Sequence, residues 1–274
     1  MSGSDPFLFH PIGRIQSQLR APAEAPRQAV YGARNAFLAW VDPRKLAPAA
    51  EDLQGVERIW LIFVFDRNLD HHWKPKVRPP LSSGGRRRGV LATRSPHRPN
   101  PIGLSAVELL SVTPEGLELG SCDLLDGTPV LDVKPYIPAA DAFPNSRAGW
   151  RDAVREDPYN VVFTPEALAQ IAFLREHGGP DLENFCRVQL AVNPGDRRRK
   201  RLTAPGANDD LWSIACRTWR LRFRRDDAGR VITVMLVRSG YAPEELFPGA
   251  DDPFQDKDLH RAFREFAARS GENR

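Results

Sequence analysis

Gly89-Val90-Leu91-Ala92-Thr93 and Leu104-Ser105-Ala106-Val107-Glu108-Leu109-Leu110 read as two extended segments, and between them lies Ser95-Pro96-His97-Arg98-Pro99-Asn100-Pro101-Ile102-Gly103. The second segment alternates apolar and polar residues, the period of a half-buried strand. Each proline of the loop fixes its own φ and pushes the preceding residue toward extended backbone, so Ser95, Arg98 and Asn100 are restricted before any ligand arrives. Little ordering entropy is left to oppose binding. A proline-rich loop can be no more than a rigid connection, but the interleaved Ser, His, Arg and Asn make this one a candidate site.

The same pattern of short extended segments with Gly and Pro punctuation continues from Phe7 to about Tyr136. Candidate strands are His10 to Ile15, Arg58 to Phe65, Gly89 to Arg94, Leu104 to Val112, Leu117 to Leu125 and Pro129 to Pro135, with a turn or two of helix at Leu46 to Leu53. Their number and spacing suit a small antiparallel barrel or sandwich, with Ile59-Trp60-Leu61-Ile62-Phe63-Val64-Phe65 expected to be a strand buried on both faces. Residues 141–160, rich in Ala, Pro, Asp and Arg, read as a linker between a domain at 1–140 and a smaller α+β domain at 161–274. In the latter, Thr164-Pro165-Glu166 is a helix start and Gly178-Gly179-Pro180 its stop. Trp212 to Arg224 alternates as one extended segment and turns at Asp226-Asp227-Ala228-Gly229 into Val231 to Val237; Asp256 to Arg269 is a last helix.

At 274 residues the chain can bury a sizeable core. Its longest apolar run is too short to span a bilayer and Met1-Ser2-Gly3-Ser4-Asp5 carries no leader pattern, so a soluble, cytoplasmic protein is expected. Cys122, Cys186 and Cys216 are too scattered for a disulfide framework or a zinc ribbon, and no third ligand is spaced to make Asp70, His71 and His72 a metal site. There is no Gly-x-Gly-x-x-Gly after a strand, and Val90-Leu91 stand where a phosphate-binding loop needs Lys and Ser/Thr. The net charge of +4 is modest, but arginines cluster at Arg86-Arg87-Arg88, at Arg197-Arg198-Arg199-Lys200-Arg201 and at Arg220, Arg222, Arg224 and Arg225. Composition alone leaves a polyanion partner and a solvated arginine face equally open.

Ala92-Thr93-Arg94-Ser95-Pro96-His97-Arg98-Pro99-Asn100-Pro101-Ile102-Gly103 resembles the signature of the TsaA-like family, and three further blocks match in order. These are Pro26-Arg27-Gln28, then Trp73-Lys74-Pro75 with Val77-Arg78-Pro79-Pro80, and then Asp123 to Tyr136. They cover the first domain. The C-terminal domain resembles the extension carried by longer bacterial members, with residues after about Ser239 as an addition. The resemblance implies a small β-barrel methyltransferase that uses S-adenosylmethionine, works as a homodimer and methylates N6 of threonylcarbamoyladenosine beside the tRNA anticodon. By positional match it implies donor contacts from Pro26, Arg27, Gln28, Asp66, Arg67, Arg94, Leu104, Asp123, Asp126, Gly127 and Thr128. His97, Arg98, Asn100 and Tyr136 are candidates for the acceptor base, and Arg86 to Arg88 and Arg197 to Arg201 for the tRNA backbone.

These residue types suit the donor's chemistry. Asp123 or Asp126 can accept from a ribose diol or an amino group, Arg94 can pair with a carboxylate, and Leu104 can cover an adenine. Methyl transfer is an in-line displacement with a neutral thioether leaving, so no acid is required, and His97, Asp126, Tyr136 or water remain open as the proton acceptor. A non-catalytic RNA-binding barrel, or a methyltransferase of the same type on another acceptor, are the alternatives.

Overall fold

The computed structural model describes residues 7–26, 28, 29, 35–69, 72–79, 86–153, 158–196, 201–206 and 209–272. The chain divides into two compact units, Met1–Arg155 and Glu156–Arg274.

The strands of the first unit are β1 (Gly13–Gln16), β2 (Ala36–Trp40), β3 (Arg58–Val64), β4 (Lys76–Val77), β5 (Arg88–Gly89), β6 (Ile102–Thr113), β7 (Gly116–Leu119) and β8 (Pro129–Pro135). Six of them close an antiparallel barrel in the order β1-β2-β7-β6-β3-β8, while β4 and β5 form a separate ribbon. Period-2 alternation builds the barrel: Ile59, Leu61 and Phe63 of β3 point inward and pack with Ile15, Leu38, Val107, Leu117, Leu119 and Val130. Each such buried side chain contributes roughly 1.5–3 kcal/mol relative to exposure. Gly103 stands opposite Phe63, where a Cβ would lie 2.2 Å from the ring. The glycine that ends the proline-rich signature is therefore fixed by packing.

The mainly β barrel is the expected fold class, but several local expectations change. Of the strand expected over 89–94 only Gly89 is extended, as the end of β5: Val90–Ala92 form a 3-10 turn, because the N–H and hydroxyl of Thr93 both donate to the Val90 carbonyl (3.1 and 2.8 Å). The strand expected over 117–125 ends at Leu119, which leaves 120–128 as a loop. β3 is buried on one face only; Trp60, Ile62 and Val64 alternate with the core residues and are partly exposed. β2 was not foreseen. The helix expected at 46–53 is α1 (Pro43–Ala49) followed by a 3-10 turn, Glu51–Leu53. A short helix, α2 (Pro138–Asp141), follows the barrel, and Asp141 and Trp150, expected in a linker, are bonded to this unit. Trp60 Nε1 donates to Asp141 (2.9 Å) and Trp150 Nε1 to the Ala92 carbonyl (2.9 Å).

The second unit holds β9 (Asn160–Phe163), α3 (Pro165–Glu176), α4 (Leu182–Leu190), β10 (Leu202–Thr203), β11 (Trp212–Cys216), β12 (Trp219–Asp226), β13 (Val231–Ser239) and α5 (Lys257–Glu272). Its sheet runs β10-β11-β12-β13-β9, antiparallel except for β13 with β9. Thr164 caps α3, its hydroxyl accepting from the Ala167 N–H (3.1 Å), and Asp226 fixes the expected β12–β13 hairpin by accepting from Ala228 and Gly229 (3.0 Å each). The alternating run 212–224 is two strands, divided at Arg217, whose φ of +50° turns the chain. Helix α4, not foreseen, starts at Asp181, whose side chain caps the Asn184 N–H (3.2 Å).

The C-terminal residues are locked on by a buried polar cluster. His260 is fully buried on α5 and stacks on Trp219 at 3.6 Å. Thr218 donates its hydroxyl to Asp256 (2.5 Å), so its oxygen is left to accept from His260 Nε2–H (2.9 Å), and Nδ1 accepts from the Ser239 hydroxyl (2.8 Å). Both ring nitrogens are thereby hydrogen-bonded. Burial holds the imidazole well below its usual 6.5, at about 4.

Candidate active-site cleft

A cleft of about 890 Å³ opens in the first unit where β3 and β6 pass the proline loop. Four parts of the chain wall it. Segment 22–29 is shaped by Glu24, whose carboxylate accepts from the Arg20 and Ala21 N–H groups (2.8 and 3.4 Å). The 3-10 turn Asp66–Asn68 ends β3; there Arg67 donates to the Arg20 carbonyl (2.7 Å). Residues 93–98 open the proline loop, and residues 123–128 precede β8.

The loop is a preorganised wall. Arg98 bends back and donates to the carbonyls of Thr93 (3.0 Å) and Ser95 (3.4 Å), the His97 N–H reaches Ser95 Oγ (3.3 Å), and the Phe65 N–H ties β3 to Pro101 (2.8 Å). Asn68 Nδ2 lies 3.4 Å from His97 Nδ1. Arg98 thus braces the loop through its backbone.

Two aspartates expected to share the donor site behave differently. Asp123 lines the cleft; Ser105 donates to its Oδ2 (3.0 Å), while its buried Oδ1 has no hydrogen-bond partner among the described residues. Burial raises its carboxyl pKa, opposed by the Ser105 hydrogen bond, by the residue's own backbone N–H and by Arg94. An acceptor left bare in this way costs stability unless a ligand supplies a donor. Asp126 does not line the cleft. Its carboxylate accepts from the Ser17 N–H (3.0 Å) and pairs with Arg20, fastening the loop to segment 17–20. Gly127, at φ +80°, makes the turn there, and its N–H reaches the Ile15 carbonyl (2.7 Å).

Of the other residues singled out in the sequence, Pro26, Gln28, Asp66, Arg67, Arg94, Leu104, Thr128, Arg98 and Tyr136 line the cleft, whereas His97, Asn100 and Gly127 do not. Arg86 and Arg87 are exposed away from it, and Arg88 is engaged by the Trp150 ring, 5.1 Å from its centroid. Arg201 belongs to the second unit; Arg27, Arg197, Arg198, Arg199, Lys200, Asp70 and His71 lie outside the described residues. Sequence reading missed Ser105, Glu24, Asn68 and Trp60. Trp60 and Tyr136 form a tilted pair at the end of the cleft, centroids 5.4 Å apart, and the indole is held by Asp141. The signal for Trp60 was its outward parity in a strand taken as wholly buried.

The cleft fits S-adenosylmethionine: a bare buried acceptor at Asp123, a cation at Arg94, an amide at Gln28, and Leu104, an apolar side chain 53% exposed.

Comparisons with known proteins agree with this geometry. Residues 14–142 match a family model described as the tRNA-methyltransferase O (TrmO) N-terminal domain. A tRNA (adenine(37)-N6)-methyltransferase of Escherichia coli K12 is 38% identical over 228 residues, covering 81% of this chain and 95% of that one. A putative S-adenosylmethionine-dependent methyltransferase, RcsF, of Pseudomonas aeruginosa is 37% identical over 76% of this chain and 85% of that one. A crystal structure of TrmO from Pseudomonas aeruginosa superimposes with a TM-score of 0.62 at 28% identity, covering 86% of this chain and 99% of that chain. A relative matched over nearly its whole length, together with a barrel and cleft of this kind, settles kinship: the chain belongs to the TrmO family of S-adenosylmethionine-dependent tRNA adenine-N6 methyltransferases.

Proposed function

We propose that this chain methylates N6 of threonylcarbamoyladenosine at position 37 of tRNA, giving the N6-methylated derivative, as a cytoplasmic homodimer. The observation that carries the reading is the cleft itself, lined by Asp123, one of whose carboxylate oxygens is buried without a hydrogen-bond partner among the described residues.

When bound, S-adenosylmethionine supplies an electrophilic methyl group. The work left to the protein is to hold, orient and shield. Asp123 accepts from the donor's diol or amino group, Arg94 pairs with its carboxylate, Leu104 covers its adenine, and Pro26 and Gln28 close the rim. Ser105 holds the Asp123 carboxylate in place by donating to Oδ2. Holding the two reactants in line supplies roughly 7–11 kcal/mol in favourable cases, so no catalytic dyad is obligatory. Asp126 is committed to Arg20 and Ser17 and is not placed to take the acceptor's proton. Tyr136 and Trp60 offer aromatic faces at the far end of the cleft, where a base splayed from a single-stranded loop can stack. Ile102 and Leu104, both exposed on β6, supply apolar surface that a second copy would cover.

The test is transfer of labelled methyl from S-adenosylmethionine to two tRNA pools, one carrying threonylcarbamoyladenosine and one lacking it, followed by nucleoside mass analysis. Label on the modified adenosine alone is the expected result. Label on neither pool, with tRNA still bound, would replace the enzyme by a binding module.

A further inference from the structure

One face of the five-stranded sheet is covered and the other is open. Ile214, Trp219, Leu221, Phe223, Ile232, Val234 and Val237 are buried on the covered face, where Trp219 meets His260 and Phe263 of α5. Strand parity turns the alternate residues to the open face.

The register there is informative. Leu202 pairs with Ile214 and the Ala215 N–H donates to the Arg201 carbonyl (2.9 Å), so Arg201 stands opposite Ala215. Ala215 stands opposite Arg220, and Arg220 opposite Arg238. One row across four strands therefore reads Arg201, Ala215, Arg220, Arg238. The next row reads Thr203, Ser213, Arg222, Leu236.

Like charges directly opposite each other on antiparallel strands are destabilising. Arg222 and Arg224 have no arginine opposite them and form ion pairs with Asp209 and Asp210. Arg201, Arg220 and Arg238 make no ion pair with any described residue; Asp209 feels the charge of Arg238 but bonds to Arg222. Arg220 is held in place by hydrogen bonds to the carbonyls of Arg217 (3.3 Å) and Trp219 (3.0 Å). Arg201 and Arg238 are thus exposed and without an ion pair among the described residues, Arg220 is fixed between them with its charge also felt by His260, and the small residues beside the row (Ala215, Ser213, Thr203) let a chain approach closely. The row carries no aromatic ring on which a base would stack. Arginine forks fit phosphate oxygens, and contacts of this kind position an RNA without reading its bases.

We infer that the open face of the second unit's sheet, through Arg201, Arg220 and Arg238, seats the phosphate backbone of the tRNA. The inference rests on the reading of the chain as a tRNA methyltransferase and assigns the surface on which the RNA lies outside the cleft.

The test compares the full chain with an R201Q/R238Q variant, which leaves the anchored Arg220 in place, in binding to unmodified tRNA over a salt series without methyl donor. Two lost phosphate contacts should weaken binding at least ten-fold near 0.1 M salt and lower the slope of log affinity against log salt by roughly 1.5. Affinity for S-adenosylmethionine should not change, and the variant's melting temperature should hold or rise as the like-charge pair is relieved. Unchanged tRNA affinity and slope would overturn the inference, and would leave the face to an acidic protein instead. A lowered melting temperature would also overturn it, because the arginines would then be holding the sheet. Binding is measured without catalysis, so failure here is distinct from failure of the methyl-transfer reading.

Discussion

His260 in the second unit and Asp123 in the first are both titratable side chains largely withdrawn from water, and the two are treated in opposite ways. His260 in the second unit has both ring nitrogens bonded, lies flat on Trp219 and faces no cleft. Asp123 in the first has one oxygen bonded to Ser105 and the other bare, in a cleft with an exposed leucine and an arginine. Burial shifts the pKa of both toward the neutral form. What sets Asp123 apart is a bare buried acceptor combined with a place in the cleft lining, since Trp40 Nε1 is equally without a partner among the described residues but does not line the cleft.

The sharpest way to break this contrast is to delete the satisfied group. His260→Ala removes a stacked ring and strips Thr218 and Ser239 of a partner each, so it should destabilise the second unit by about 3 kcal/mol in denaturant unfolding. Little effect would mean that the cluster is ornamental and the contrast empty.

Acid should act next, with opposite signs in the two units. His260 has a folded pKa near 4, below its ordinary 6.5, so its contribution is intact above 6.5 and is lost as pH falls through about 4. Asp123 has a raised folded pKa, so acid relieves the cost of its buried charge while removing the carboxylate a ligand needs. Hydrogen exchange, corrected for its intrinsic pH dependence, should show α5 opening between pH 6.5 and 4 before the barrel does. Barrel opening first would reverse the assignment.

The smallest effect is expected from Asp126→Ala. It loses the Ser17 contact and the pair with Arg20, but the exposed arginine makes that pair worth little, so roughly 1 kcal/mol of first-unit stability is expected. Thermal unfolding checks this.

Much of the barrel and part of the cleft could be read in the amino-acid order. The alternation in β6, the proline loop, the Thr164 cap and the Asp226 turn are local signals, and each appears where local chemistry puts it. What escaped depends on distant partners. Val90 to Ala92 read as a strand until the Thr93 side chain is seen to close a turn. The outward face of β3 read as buried because Trp60, Ile62 and Val64 are apolar, and only the cleft explains why they are not covered. Asp123 and Asp126 are equivalent in the sequence; Ser105, 18 residues from one, and Arg20, 106 residues from the other, give them different jobs. The contact of Arg88 with Trp150, 62 residues away, could not be read from either segment. The arginine row on the second sheet exists only in the register, which no single strand reveals.

The central claim is that the bare oxygen of Asp123 marks the methyl-donor site. Calorimetric titration of S-adenosylmethionine into the wild-type chain, Asp123→Ala and Asp126→Ala tests it directly. The wild type should bind, Asp126→Ala should stay within about ten-fold of it, and Asp123→Ala should lose roughly 100-fold, the cost of one charge-assisted hydrogen bond in a buried site, while its melting temperature is maintained. Donor affinity unchanged in Asp123→Ala would contradict the account.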